Sequence, residues 1–427
     1  MKKTLIAFAA AAVGISLSGS AHASPYKALH DFCRQTNCVD GAAPFSAPVS
    51  DGAGHYFGTT VGGGGNGGGT VYEMSFDGHH WDHQRIHRFC TKPGCADGSS
   101  PYGRLIVDTK GNLYGVATAG GKHGKGAVYE LIPQAGDWKY KLLYDFCAQA
   151  SCADGSTPQY SGLSYQGAAS GAAYDGVSPL YGTTELGGAN NGGTVFTLTR
   201  RTGGKGWDYG VVFDFCAFDQ CDAGTGPAAS VLVDGQGNLF GTTQDGGTHE
   251  DGTVFELSRN GAGWSETVLY NFCAEANCAD GSFPYAPLIM DGAGDLYGTT
   301  SSGGAHNSGS VFKLHPNGAA SQIATLHSFC SDGSCSDGSL PYAGLTMDAD
   351  GRLFGAAIQG GSQSFGVLFM LSGRHLTKFS TVVDFGSAGA PGGQPYSAPA
   401  LDASGMLLGT AWTGGSGNSG VVYRFKP

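Results

Sequence analysis

Short apolar runs recur along the chain, broken each time by glycine or aspartate. In one unit Leu105-Ile106-Val107 is closed by Asp108-Thr109-Lys110-Gly111, and residues 112–118 follow and break at Gly120-Gly121. Ala127-Val128-Tyr129-Glu130-Leu131 comes next, and an alternating run over residues 138–146 completes the unit. Runs of five to nine residues separated by Gly or Asp turns predict four antiparallel strands connected up and down. Convincing helical periodicity is absent beyond the first residues.

The unit repeats. Leu113-Tyr114-Gly115 returns as Tyr56-Phe57-Gly58, Leu180-Tyr181-Gly182, Leu239-Phe240-Gly241, Leu296-Tyr297-Gly298, Leu353-Phe354-Gly355 and Leu407-Leu408-Gly409. The final glycines lie 57, 67, 59, 57, 57 and 54 residues apart, which makes seven units. Such a period marks a solenoid or a propeller. Tyr72, Tyr129, Phe196, Phe255, Phe312, Phe369 and Tyr423 recur in the third strand, and Phe32, Phe89, Phe146, Phe215, Phe272, Phe329 and Phe385 near the end of the fourth. Aromatics at fixed register predict packing between units.

The two ends decide between ring and stack. The chain finishes on Val421-Val422-Tyr423-Arg424-Phe425, a third strand without its fourth, while residues 26–32 form a fourth strand without a unit. Joining them completes the last blade and leaves no free sheet edge at the seam. The expected fold is therefore all-β, a seven-bladed β-propeller of four-stranded antiparallel blades, closed by its N-terminal strand. One propeller domain is expected over residues 24–427.

Leu296-Tyr297-Gly298-Thr299-Thr300, Gly303-Gly304 and Gly309-Ser310-Val311-Phe312-Lys313-Leu314 carry a resemblance to the GloVer tandem-repeat family. The pattern covers nearly the whole chain. The resemblance implies an exported bacterial repeat protein, often with a C-terminal anchor, and implies no general activity. This chain departs from it by ending in a strand without an anchor and by adding a Cys pair per unit.

Met1-Lys2-Lys3, an apolar run through Val13 and Ile15, and Ala21-His22-Ala23 read as a cleavable secretory signal over residues 1–23. That segment is too short and Ala-rich for a membrane span. An exported protein, periplasmic or secreted and monomeric, is expected. Its net charge of −11 becomes −13 without Lys2 and Lys3, which argues against a nucleic-acid partner. The 75 glycines suit many tight turns, and 41% hydrophobic residues argue against disorder.

All 12 cysteines fall in pairs five apart: Cys33/Cys38, Cys90/Cys95, Cys147/Cys152, Cys216/Cys221, Cys273/Cys278 and Cys330/Cys335. Even number, fixed spacing and export predict disulfides rather than zinc thiolates. The seventh unit loses both members together and carries Gly386 at the first position. On the chain-entropy model each bridge contributes roughly 2 kcal/mol.

Two residue sets are candidates for a ligand site on the face shared by the cysteine loops and the Gly pairs. One is the Asp that follows each Cys pair: Asp40, Asp97, Asp154, Asp280 and Asp337, with Asp222 a near relative. The other follows a proline: Tyr102, Tyr285, Tyr342 and Tyr396, with Phe45 in the first unit and Ala228 in the fourth. Aromatic faces stack on sugars and carboxylates accept hydroxyl hydrogen bonds. The competing reading is structural, an Asp bonding its own turn and a Tyr packing between blades.

Other chemistry is weaker. The Asp-x-x-Gly turns at Asp51, Asp108, Asp234, Asp291, Asp348 and Asp402 lack the alternating oxygens of a calcium loop. The Gly pairs could cradle an anion but have no recurring basic neighbour. His83 and His87 would share a strand face, with His79 and His80 nearby, yet His87 aligns with His30, Tyr144, Phe213, Tyr270 and His327. The insertion at residues 166–178 of the third unit has no evident chemistry. Nucleophile-elbow, zinc-protease and triad patterns are absent, and no metal or cofactor is expected.

The favoured reading is an exported, non-enzymatic binding protein for a glycan or another extracellular ligand, a protein included. The alternatives are an extracellular propeller lyase or hydrolase acting on polysaccharide, and a structural or adhesive surface component.

Overall fold

The computed structural model describes residues 26–427 apart from 205, 217–220, 262, 388 and 403. The export segment expected at residues 1–23 lies outside the described residues. Seven antiparallel sheets form the blades of a β-propeller. The second blade shows the plan: Ile106–Val107 innermost, then Leu113–Ala117, Ala127–Gln134 and Asp137–Asp145 outermost. The first blade adds Ala42–Pro44 to the edge of its His55–Gly62 strand. In the third blade the inner strand shrinks to a bridge between Ser164 and Tyr181.

The ring closes as the termini require. Tyr26–Asp31 pairs with Val421–Phe425, Tyr26 opposite Phe425 and Asp31 opposite Val421, and so supplies the outer strand of the last blade. Seven apolar clusters lie between consecutive blades, including one that joins the last blade to the first through Phe32, Tyr72, Met74 and Val422.

The aromatic repeat explains those interfaces. The Phe closing each outer strand meets the third-strand aromatic of the next blade edge-on: Phe32–Tyr72 at 5.1 Å, Phe89–Tyr129 at 5.0 Å and Phe146–Phe196 at 5.2 Å between ring centroids. Phe215–Phe255, Phe272–Phe312, Phe329–Phe369 and Phe385–Tyr423 continue the series. Such geometry adds about 0.5–1.5 kcal/mol per pair beyond burial. The glycine of the Leu-Tyr-Gly motif makes room for it. A Cβ at Gly241 would sit 2.5 Å from the Phe255 ring, and at Gly298 2.5 Å from Phe312.

Every outer strand carries a β-bulge against the third strand. One extra residue flips the side-chain alternation, so positions four apart face opposite neighbours. Tyr140 stacks on His87 of the preceding blade, whereas Tyr144 stacks on Tyr209 of the following one at 3.7 Å. The same bulge overturns the shared face expected for His83 and His87. His83 stacks on His30 at 3.9 Å, and His87 on Tyr140 at 4.9 Å, towards opposite neighbours. Burial first of all, with His30 beside it, holds His83 down at about 3, and burial holds His87 at about 4.

The stacking position held by His83, Tyr140, Tyr209 and Phe379 is Glu266 in the fourth blade, opposite Leu257. Its Oε1 is buried without a hydrogen-bond partner, and burial pushes the carboxyl up to about 7.

Two outcomes follow from this packing. Deleting residues 24–32 strips the outer strand from the last blade and exposes the Val421–Phe425 edge. The shortened protein is expected to self-associate in size-exclusion chromatography with light scattering and to melt less cooperatively; an unchanged monomeric melt would contradict ring closure. Glu266 keeps its proton in the fold up to about pH 7, while its ordinary value is 4.5, so stability is fully present below pH 4.5 and is lost as pH rises through 7. Glu266→Gln is therefore expected to stabilise by about 1 kcal/mol at pH 8, a figure discounted for partial exposure. In paired melting curves the gain should vanish at pH 4.

Candidate functional site

All six cysteine pairs form disulfides. Each closes a small loop between an outer strand and the next inner one, and the candidate aspartates follow the second Cys by two residues and turn back onto these loops. Asp40, Asp97, Asp154, Asp280 and Asp337 are buried. Asp154 accepts from the backbone N–H of Ala148 at 2.9 Å and Gln149 at 3.1 Å, and from the Tyr144 hydroxyl at 2.6 Å. Asp280 repeats the pattern with Ala274, Glu275 and Tyr270. Asp337 holds Cys330 and Ser331 and meets His327 at 3.1 Å, and Asp40 takes the N–H of Arg34. Burial works to raise the Asp97 pKa, but hydrogen bonds from Thr91 and Lys92 outweigh it and hold the carboxyl below its ordinary value. These carboxylates are placed to stiffen the cystine loops. Asp222 is exposed.

The Gly pairs serve the same loops. The second glycine donates its N–H to the carbonyl of the second Cys in six blades: Gly64 to Cys38, Gly121 to Cys95, Gly188 to Cys152, Gly247 to Cys221, Gly304 to Cys278 and Gly361 to Cys335. Those amides do not point at an anion. The Asp-x-x-Gly aspartates are occupied as well. Asp234 Oδ1, for instance, accepts from the N–H groups of Gln236 and Asn238.

The tyrosine set behaves differently. Tyr102, Tyr285, Tyr342 and Tyr396 meet at the ring axis, joined by Phe45, Tyr160 and Trp412. Phe45 lies between Tyr160, stacked at 5.1 Å, and Tyr396, stacked at 5.0 Å, with Tyr102 edge-on at 5.0 Å. Tyr285 and Tyr342 continue the collar at 4.9 Å, and Tyr342 reaches Tyr396 at 6.3 Å. All seven rings are half-buried. Six blades supply the inner rings, and the fourth leaves a gap at Ala228. Burial raises the hydroxyls of Tyr102, Tyr160 and Tyr396, and pushes Tyr285 up to about 12.

Polar groups flank that gap. Gln244 donates to Glu185 at 3.3 Å. Burial raises the Glu185 carboxyl, with Asp245 adding repulsion against the pull of Gln244, and burial raises Asp245 too. Tyr285 feels both carboxylates. Below the collar is a cavity of about 210 Å³ walled by Ser46, Ala47, Arg104, Ser230, Pro287, Gly344 and Ala398. It shares Arg104, Ser230 and Pro287 with a second cavity of about 870 Å³ towards the opposite face. The insertion at 166–178 lines that second cavity through Ala168, Gly171, Ala172 and Ala173, and anchors itself through the buried Tyr174.

Sequence reasoning missed Tyr160, Trp412, Arg104 and the Glu185–Asp245 pair. Tyr160 is hidden by Gln159, which separates it from Pro158. Trp412 occupies a position filled by Val61, Thr118, Glu185, Gln244, Ser301 and Ile358 elsewhere, a column whose variety was the available signal.

A model of the Gloeobacter/Verrucomicrobia repeat matches residues 14–179 and 178–423. The chain belongs to the Gloeobacter/Verrucomicrobia repeat family. No curated protein matches it. Among solved structures, a puromycin-hydrolysing peptidase of Mycobacterium tuberculosis aligns at TM-score 0.51 and 12% identity, over 91% of this chain and 52% of that one. A 6-phosphogluconolactonase-like protein of Bacteroides uniformis aligns at 0.47 and 11% identity, over 79% and 83%. A Trypanosoma rangeli sialidase aligns at 0.40 and 12%, over 90% and 54%. At 12% identity the peptidase shares with this Gloeobacter/Verrucomicrobia repeat protein the fold alone.

The loop role of the aspartates has a direct check. Asp154→Ala leaves two backbone N–H groups and a tyrosine hydroxyl without their acceptor, and is expected to cost about 2 kcal/mol in denaturant unfolding. Asp222→Ala, on an exposed carboxylate, should stay within about 0.5 kcal/mol. Equal effects at the two sites would contradict this assignment.

Proposed function

We propose that this protein is an exported carbohydrate-binding propeller that receives a sugar on the axial aromatic collar. The observation that carries the reading is the convergence of Tyr102, Tyr285, Tyr342 and Tyr396 with Phe45 and Tyr160 around one small cavity, with Trp412 packed against Phe45, Tyr102 and Tyr396. Ring faces and edges suit the apolar faces of pyranose rings, and Glu185 and Gln244 at the gap suit hydroxyl groups. Export is supported by six cystines, which oxidising compartments sustain, and no described helix is long and apolar enough to cross a membrane. The aspartates of the cystine loops are left out of the ligand surface, because they are buried and hydrogen-bonded to their own loops.

One observation favours a second reading. Glu185 and Asp245 are adjacent acids, both raised by burial, beside the collar. A carboxyl raised this way can act as a general acid on a glycosidic bond.

Calorimetric titration of the oxidised protein with neutral oligosaccharides tests both. Saturable binding without product is expected, with Tyr396→Ala and Trp412→Ala each weakening it about tenfold or more, the size of losing an aromatic contact at a binding hot spot. Product formation abolished by Glu185→Gln would favour the enzyme. Binding untouched by both aromatic variants would remove the collar from the account.

A further inference from the structure

The cavity wall beneath the collar holds one residue that breaks the repeat. The position two after each collar ring is Ala47, Gly162, Ser230, Pro287, Gly344 and Ala398 in six blades, and Arg104 in the second. Six small neutral residues keep the axis open; the seventh puts a guanidinium into it. Arg104 lines both axial cavities and is open to their lumen. Among the described residues it makes no hydrogen bond, ion pair or stacking contact. The enclosing walls lower its pKa, the effect of Tyr165 being smaller and opposite. A cation at the one axial position that breaks the repeat marks a functional position. Ser397 lines the same small cavity from the seventh blade, and its Oγ is buried without a hydrogen-bond partner.

We infer that Arg104 is an anion subsite of the collar, receiving the carboxylate of an acidic sugar whose ring lies on the aromatics above, with Ser397 as a second donor. This deepens the carbohydrate reading and rests on it. A planar guanidinium forks two parallel hydrogen bonds onto a single carboxylate. A polyanion is disfavoured by the surroundings. The chain carries a net charge of −11, Glu185 and Asp245 stand near the mouth, and Asp51, Asp108 and Asp402 line the cavity beyond. One cation among these acids suits one negative charge.

The experiment compares two disaccharides that differ only in a terminal glucuronate or glucose, titrated calorimetrically into the oxidised protein and into Arg104→Ala. That substitution installs the side chain already present at Ala47 and Ala398, so its fold should survive, as an unchanged melting curve would verify. The protein is expected to prefer the glucuronate sugar about tenfold or more, the size of a charge-assisted hydrogen-bond pair. Arg104→Ala should erase the preference, weakening the glucuronate sugar about tenfold or more relative to the neutral one. Equal affinities in the unaltered protein, or a preference that survives Arg104→Ala, would overturn the arginine subsite while leaving the collar standing. Tighter binding of a sulfated oligosaccharide than of the glucuronate sugar would overturn the single-carboxylate assignment. Binding of none of these sugars would sink the collar and the subsite together.

Discussion

The pairing of Tyr26–Asp31 with Val421–Phe425 is the constraint on which the rest of the molecule depends. Each blade buries its apolar faces only against its two neighbours, so a break anywhere would uncover two faces at once. The seam is where such a break would fall, because the chain itself does not bridge it. Backbone hydrogen bonds between strands almost four hundred residues apart hold it, and Phe32 and Tyr72 pack across the adjoining interface as their counterparts do elsewhere. The closure entropy of so long a loop grows only slowly with length, which one strand pairing and two packed interfaces can offset. Without closure there is no axis, and without an axis no collar.

Within the closed ring, repeated and non-repeated residues divide the work. The cystines, their capping aspartates and the Gly pairs recur in almost every blade, and each spends its hydrogen bonds on its own loop. That network holds the axial face rigid, and the collar tyrosines emerge from it just before the inner strands. Several departures from the repeat gather at the axis. Trp412, the missing ring at Ala228, the Glu185–Gln244–Asp245 group and Arg104 each occur once, and together they make a seven-fold surface asymmetric. A surface of identical blades would offer seven equal weak sites; these residues give it one orientation.

Much of this was legible along the chain. Strand alternation, the Leu-Tyr-Gly period, the split last blade and the paired cysteines are local or periodic signals, and each depends on interactions between residues close in sequence or equivalent by repeat. The aromatic pairs between blades could be anticipated because register repeats with the unit. Local rules failed where the outer-strand bulge intervenes, since one extra residue turned His83 and His87 to opposite neighbours. They failed again at the third blade, where the insertion at 166–178 replaces a turn and lines the second cavity.

The sequence by itself determined the blades, their number, the cystine loops and the meeting of the termini, because hydrophobic period and turn chemistry act over a few residues. Only the tertiary structure decided which polar and aromatic residues share a site. Asp154 and Tyr160 lie six residues apart, yet one is folded into its loop and the other reaches Phe45 from two blades away. Phe45 and Tyr396 stand 5.0 Å apart across the seam. Which side chains point inwards, and which of them meet, is set by the curvature of the closed ring, and no stretch of chain shorter than the whole circle carries that information.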